Sequence, residues 1–219
     1  MLLDALSGGL TLETAILEIL VIAFIIFLIL PVHEFAHAGV ALLLGDKSIK
    51  YKGRLSLNPL AHLDPIGALC MLLFGFGWAK PVPINPSYFK RPKLYMAITA
   101  LAGPVSNILC GMLGGLFYRL AIGTMSWDFY TGLGQYILMF LSYYIIINVN
   151  LAVFNLIPIP PLDGSKVLFL FLPNKAVEFC YRYQMFFFIG LYVLMFAGAF
   201  SGIMDYATSF LFKLCTFSF

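Results

Sequence analysis

The 219-residue sequence predicts an all-α polytopic membrane protein, with about four transmembrane helices, a cytosolic loop containing short strands, and a re-entrant or interfacial segment. Three observations carry that prediction. Hydrophobic residues make up 62% of the chain and charged residues only 11%, with a mean hydropathy of +0.96, far outside the composition of a soluble domain. Several apolar runs reach the roughly 20 residues that a helix needs to cross the hydrocarbon core. The 13 lysines and arginines are divided unevenly between alternate connections, as they are when one side faces the cytosol.

The first run, Leu12 to Gly45, is long for one span, and Pro31 inside it predicts a kink with a carbonyl freed in the turn before. It lacks a basic leading region and a small-residue cleavage site, so it reads as a retained helix and not a removable signal. Leu94 to Gly123 and Leu133 to Pro158 give the second and third spans, and Phe186 to Phe212 a fourth. Between the first two spans, alternation at Ile49 and Tyr51 and at Leu55 and Leu57 predicts short strands. Ile66 to Trp78 is apolar but too short and glycine-rich to span, which makes it the re-entrant or interfacial piece. No repeat or linker divides the chain, so residues 1–219 read as one domain with a core over 20–172 and an additional C-terminal helix over 183–214.

Lys47, Lys50, Lys52, Arg54, Lys80, Lys90, Arg91, Lys93, Lys166, Lys175 and Arg182 fall on one side, whereas the other receives Arg119, near Asp128, and Lys213. The N-terminus brings Asp4, Glu13 and Glu18 and no basic residue. Positive charge is retained on the cytosolic side, so the N-terminus is placed outside. A net charge of +3 arranged by side in this way does not make a nucleic-acid surface. Cys70, Cys110, Cys180 and Cys215 are scattered among apolar residues with no CxxC pair, and read as buried free thiols.

Against this background the stretch LPVHEFAHAG, Leu30 to Gly39, is expensive. An ionisable side chain at membrane depth marks a functional site by default, with a partner to be found. His33 and His37 stand four residues apart, which on a helix turns both imidazoles to one face, with Glu34 beside them. This is the HExxH arrangement of two zinc ligands and a general base. The ordinary alternative is a pair of satisfied core histidines, but only three histidines occur in the chain and two of them flank a glutamate at ligand spacing. A catalytic zinc takes three protein ligands, and the candidates for the third are His62, Asp64, Asp163, Glu178 and Asp205. Asp163 stands out because FNLIPIPPLDGSKV ends the third span with a proline-rich stretch and an Asp-Gly turn, at the same predicted cytosolic depth as His33 and His37.

HEFAH at 33–37, AGPVSN at 102–107 and NLIPIPPLDG at 155–164 together resemble the site-2 protease family of intramembrane zinc metalloproteases, in its compact prokaryotic form. NPLAHLDPIG and GWAKPVPINP fit the same group, and the likeness covers about Leu20 to Leu172. It implies one zinc ion per chain held by His33, His37 and Asp163, with Glu34 as the base that activates water. It also implies that Asn107 contacts the unwound substrate backbone or the developing oxyanion, an interhelical hydrogen bond being the alternative. Asn155 either orients a ligand from behind or makes a helix contact. His62 either visits the fourth zinc position or, the favoured reading, contacts backbone.

The expected activity is hydrolysis within or near the transmembrane segment of a membrane-protein substrate, releasing a cytosolic fragment. The expected location is a prokaryotic plasma membrane, with the active site towards the cytosol. Lipid and a transmembrane substrate are the expected partners, nucleic acid is not, and a homo-oligomer is left open. A metal-ion transporter or channel, or a catalytically silent membrane-protein-binding relative, remain the alternatives.

Overall fold

A computed structural model describes residues 19–21, 23–74, 77–124 and 132–217. Leu12, Asp4, Glu13, Glu18 and Asp128 lie outside the described residues. The chain divides into two compact units, Met1–Lys90 and Arg91–Phe219.

In the first unit, helix α1 (Ile19–Leu43) is 25 residues long, and its most apolar stretch is only 29% buried within the protein, so the remainder is left for lipid. The helix runs on through Pro31. Proline has no N–H for the carbonyl four residues back and its ring crowds that carbonyl, and the strain is taken up by a π turn over Ile25–Ile29. There Leu30 N–H reaches back to Ile25 O, five residues away. Ile26 is buried in this turn, packed by Leu63 and Ala68 from the segment that follows the helix. Short helices α2 (Pro59–His62) and α3 (Pro65–Phe74) follow. At 10 residues α3 rises about 15 Å, half the hydrocarbon thickness, as the length of this apolar piece predicts.

The short strands expected around Ile49–Leu57 are not formed, and no strand occurs among the described residues. Lys47–Lys52 is instead a 3-10 helix. Asp46 starts it by accepting Ser48 N–H at 3.1 Å and Ser48 Oγ–H at 2.5 Å, and Gly53, at φ +65°, ends it. With three residues per turn, positions two apart face away from each other. Hence Ile49 is fully buried while Tyr51 is 90% exposed, where a strand would have put them on one face.

In the second unit, α4 (Pro92–Thr124) and α5 (Leu133–Leu156) are the other two helices long and apolar enough to cross a membrane. They pack on each other, and α9 (Ser201–Thr216) packs on both. Glycines set the approach: a Cβ at Gly114 would stand 2.5 Å from the Tyr144 ring of α5, and one at Gly115 only 1.8 Å from Cys215 O of α9. Beyond α5 come α6 (Gly164–Leu168), α7 (Asn174–Arg182) and α8 (Gln184–Phe196).

The single fourth span expected over 186–212 is two helices, α8 of 13 residues and α9 of 16, each short of a crossing. Gly198 adopts φ +73°, the left-handed turn open to glycine at low cost, and its N–H closes on Met195 O at 3.0 Å. The break hides in the sequence because FAGAF is as apolar as the helices it separates. All four cysteines are free, but only Cys215 is buried; the other three are partly exposed, against expectation.

Candidate metal centre

His33, Glu34 and His37 are all buried in the second half of α1. The helical repeat brings the two imidazoles edge to face, centroids 4.7 Å apart, with the two Nε2 atoms 3.0 Å apart. Two nitrogens bound at 2.0–2.1 Å with tetrahedral angles would stand about 3.3 Å apart, so the pair fits one zinc ion with little adjustment. Glu34 directs Oε2 to the main-chain N–H of Val82, which donates to it at 3.1 Å.

Val82 belongs to a strap without regular secondary structure, Trp78–Asn85, held against the same unit. Lys80 N–H donates to His62 O at 2.8 Å, and Asn85 N–H to Asp46 Oδ2 at 2.8 Å. Lys52 Nζ donates to Pro83 O at 2.6 Å. Asp46, fully buried just past the end of α1, thus ties the 3-10 helix to the end of the strap. Neither Asp46 nor Val82 stands out in the sequence as a site residue. An Asp-x-Ser pattern after a helix-ending glycine was a legible sign of the first, but a main-chain donor such as Val82 has no residue signature.

His62 is 1% exposed, with Nε2 2.8 Å from Ser56 O, and the Arg54 guanidinium donates to Ala61 O beside it. Its Nδ1 is buried without a hydrogen-bond partner. Asp64 accepts Gly67 N–H at 2.9 Å, capping the start of α3.

In the second unit Asp163 is half-buried and takes helical backbone angles at the head of α6. Its main-chain O accepts Lys166 N–H at 2.9 Å. The turn sits tightly on the end of α5: a Cβ at Gly164 would lie 2.2 Å from Leu156 O. Lys166 Nζ lies 5.6 Å from the centre of the Phe169 ring and 5.4 Å from that of Tyr181. Burial pulls this ammonium below the usual lysine pKa, the Asp163 carboxylate opposing the shift. Asn107, 2% exposed, donates Nδ2–H to Asn148 Oδ1 across α4 and α5 at 3.0 Å. Asn155 turns its amide to Leu151 O of its own helix at 2.9 Å. Of the other candidates for the third ligand, Glu178 pairs with Arg182 on the surface at 3.3 Å, and Asp205 is exposed.

The family description Peptidase family M50 matches residues 130–197, the segment that holds Asn155 and Asp163. The chain is 46% identical over 139 residues to a Bacillus subtilis (strain 168) protein described as "Putative zinc metalloprotease YwhC", covering 62% of each chain. It is 30% identical over 149 residues to a Mycolicibacterium smegmatis protein described as "Putative zinc metalloprotease Rip2", covering 64% of this chain and 52% of that one. A Mycobacterium tuberculosis (strain H37Rv) protein of the same description is 29% identical over 144 residues, covering 64% of this chain and 52% of its own length. The matched part therefore spans between half and two thirds of these relatives. No solved structure matches. The likeness to the site-2 protease family is supported by the family description, over the segment that holds the third motif, and by the descriptions of the relatives.

Proposed function

We propose, from the premise that this integral membrane protein is related to the site-2 protease family, that it is an intramembrane zinc metalloendopeptidase. Its substrate would be a membrane protein cut within or near a transmembrane segment, with a cytosolic fragment released. The observation that carries this reading is the His33–His37 pair, its Nε2 atoms 3.0 Å apart and buried in a helix otherwise built for lipid, with Glu34 beside it. Two neutral imidazoles at that separation suit one zinc ion, and a carboxylate next to them suits proton transfer.

Asp163 is proposed as the third ligand. Asp46, Asp64 and Glu178 are committed to other partners and Asp205 is exposed, whereas Asp163 is half-buried in a turn fixed by backbone contacts. A carboxylate oxygen completes a two-histidine, one-carboxylate set with one position open. When bound, zinc acidifies a water and polarises a carbonyl. Glu34 takes the proton from the attacking water and passes it to the leaving amine, contributing about 10²–10⁴-fold. The proposed setting is a prokaryotic plasma membrane, with the basic loops and the site on the cytosolic side.

The test is reconstitution with single-pass membrane substrates, comparing the native chain with Glu34→Gln and His33→Ala. Glu34→Gln is expected to keep zinc and lose cleavage, and His33→Ala to lose both. Cleavage by Glu34→Gln at the native rate rejects the role of the base, and full zinc content in His33→Ala rejects the ligand set.

A further inference from the structure

We propose that the main-chain N–H of Val82 is a positioning group for Glu34, delivered by a strap whose prolines leave that donor with one use. The inference rests on the protease reading above.

Every N–H between Lys80 and Asn85 can be accounted for. Pro81 and Pro83 have none, Lys80 donates to His62 O at 2.8 Å, and Val82 donates to Glu34 Oε2 at 3.1 Å. Ile84 donates to Val82 O at 2.9 Å and Asn85 to Asp46 Oδ2 at 2.8 Å. Lys80, Val82 and Asn85 each precede a proline, which biases all three to extended backbone. Those three residues supply the amides that fasten the strap to the rest of the unit. It is thus stiffened at the points where it is tied and has no spare donor between them.

The middle tie differs from its neighbours. A buried N–H needs an acceptor, and a main-chain carbonyl serves at Lys80. At Val82 the acceptor is the side chain that would move the proton. Val82 is itself only 8% exposed, so water does not compete for its N–H. One carboxylate oxygen held this way restrains the rotation of the group and leaves the other oxygen to take the proton. A freely rotating base would have to find that orientation at each turnover.

The decisive variant replaces Val82 with its α-hydroxy acid, an ester in place of the amide, which removes the N–H and keeps the side chain. Val82→Pro removes the same donor by genetic means, and Val82→Ala keeps the donor and trims the packing. Full-length protein in phosphatidylethanolamine–phosphatidylglycerol vesicles is assayed on a panel of fluorophore- and quencher-labelled single-pass peptides. The ester and proline variants are expected to lose at least about tenfold in kcat, with KM within about twofold and zinc content unchanged. Val82→Ala should keep kcat within about threefold. Native kcat in the ester variant overturns the proposal, as does an equal loss in Val82→Ala. A rise in kcat also overturns it, because the strap would then restrain the base instead of aiming it. The amide proton of ¹⁵N-labelled Val82 gives a readout independent of turnover: it should shift in Glu34→Ala, and an unmoved resonance rejects the contact. If the native protein cleaves no peptide on the panel, the protease reading fails while the resonance still decides whether Val82 and Glu34 are joined.

Discussion

Replacing Gly164 with alanine should uncouple Asp163 from its proposed role while leaving the carboxylate in the chain. The added Cβ would lie 2.2 Å from Leu156 O and 2.7 Å from Ile157 O, both main-chain atoms at the end of α5. No rotamer change can relieve such a clash. To reach even 3.0 Å from Leu156 O, the contact must open by 0.8 Å (3.0 less 2.2), and the neighbouring Asp163 moves with it. Overpacking of this kind costs about 1–3 kcal/mol, and a reacting or binding group misplaced by about 1 Å can cost about 10² in rate. Gly115→Ala is the control, because its Cβ would meet Cys215 O at 1.8 Å, again main chain, but between α4 and α9. Both variants should unfold at lower temperature, and only Gly164→Ala should bind zinc more weakly per folded molecule, by about 10–100-fold in competition with a chelator. Native zinc affinity in Gly164→Ala refutes the idea that this turn sets the ligand. Equal loss of zinc in both variants refutes it as well, by tracing the effect to global loosening.

Asn107→Leu should cost about 0.6–1.7 kcal/mol of stability through the lost Asn107–Asn148 bond. Combined with Asn148→Leu, the two effects should be markedly non-additive in thermal unfolding, since they share one contact. Asp46→Ala strips a fully buried carboxylate from two main-chain donors and a hydroxyl, and at about 1.5–3 kcal/mol per charge-assisted bond should destabilise by about 3 kcal/mol or more. A loss below about 1 kcal/mol would show that the strap and the 3-10 helix do not depend on it. A zinc chelator should abolish cleavage and added zinc restore it, as measured by fluorescence release on one reconstituted sample.

Features that repeat or cluster along the chain were legible, and features made by main-chain atoms were not. The helices of α1, α4 and α5 follow from run length, and the HExxH face follows from a spacing of four. Alternation misled at Ile49 and Tyr51, because two residues two positions apart carry no information on whether the backbone is extended or wound three to a turn. Apolarity misled at Gly198, because a composition count over 186–212 is blind to a single left-handed residue. The turn at Asp46 is legible from Gly45-Asp46-Lys47-Ser48, but its hold on Asn85 N–H, 39 residues away, is not.

The two halves of α1 answer to different solvents, and this explains how differently they are secured. Up to Leu30 the helix exposes Leu20, Phe27 and Leu28, and the π turn is closed by its own backbone. From His33 onward the helix also buries the polar side chains of His33, Glu34 and His37, which no hydrocarbon neighbour could satisfy. Main-chain N–H and C=O groups of the loop and strap supply much of that support, through Val82 for Glu34 and through Asn85 for Asp46, with His62 O anchoring the strap ahead of both at Lys80. Main-chain support is indifferent to side-chain identity but sensitive to backbone freedom. The unit should therefore tolerate changes at the exposed Lys80 side chain while responding sharply to loss of Pro81 or Pro83, whose removal restores both a donor and a rotation.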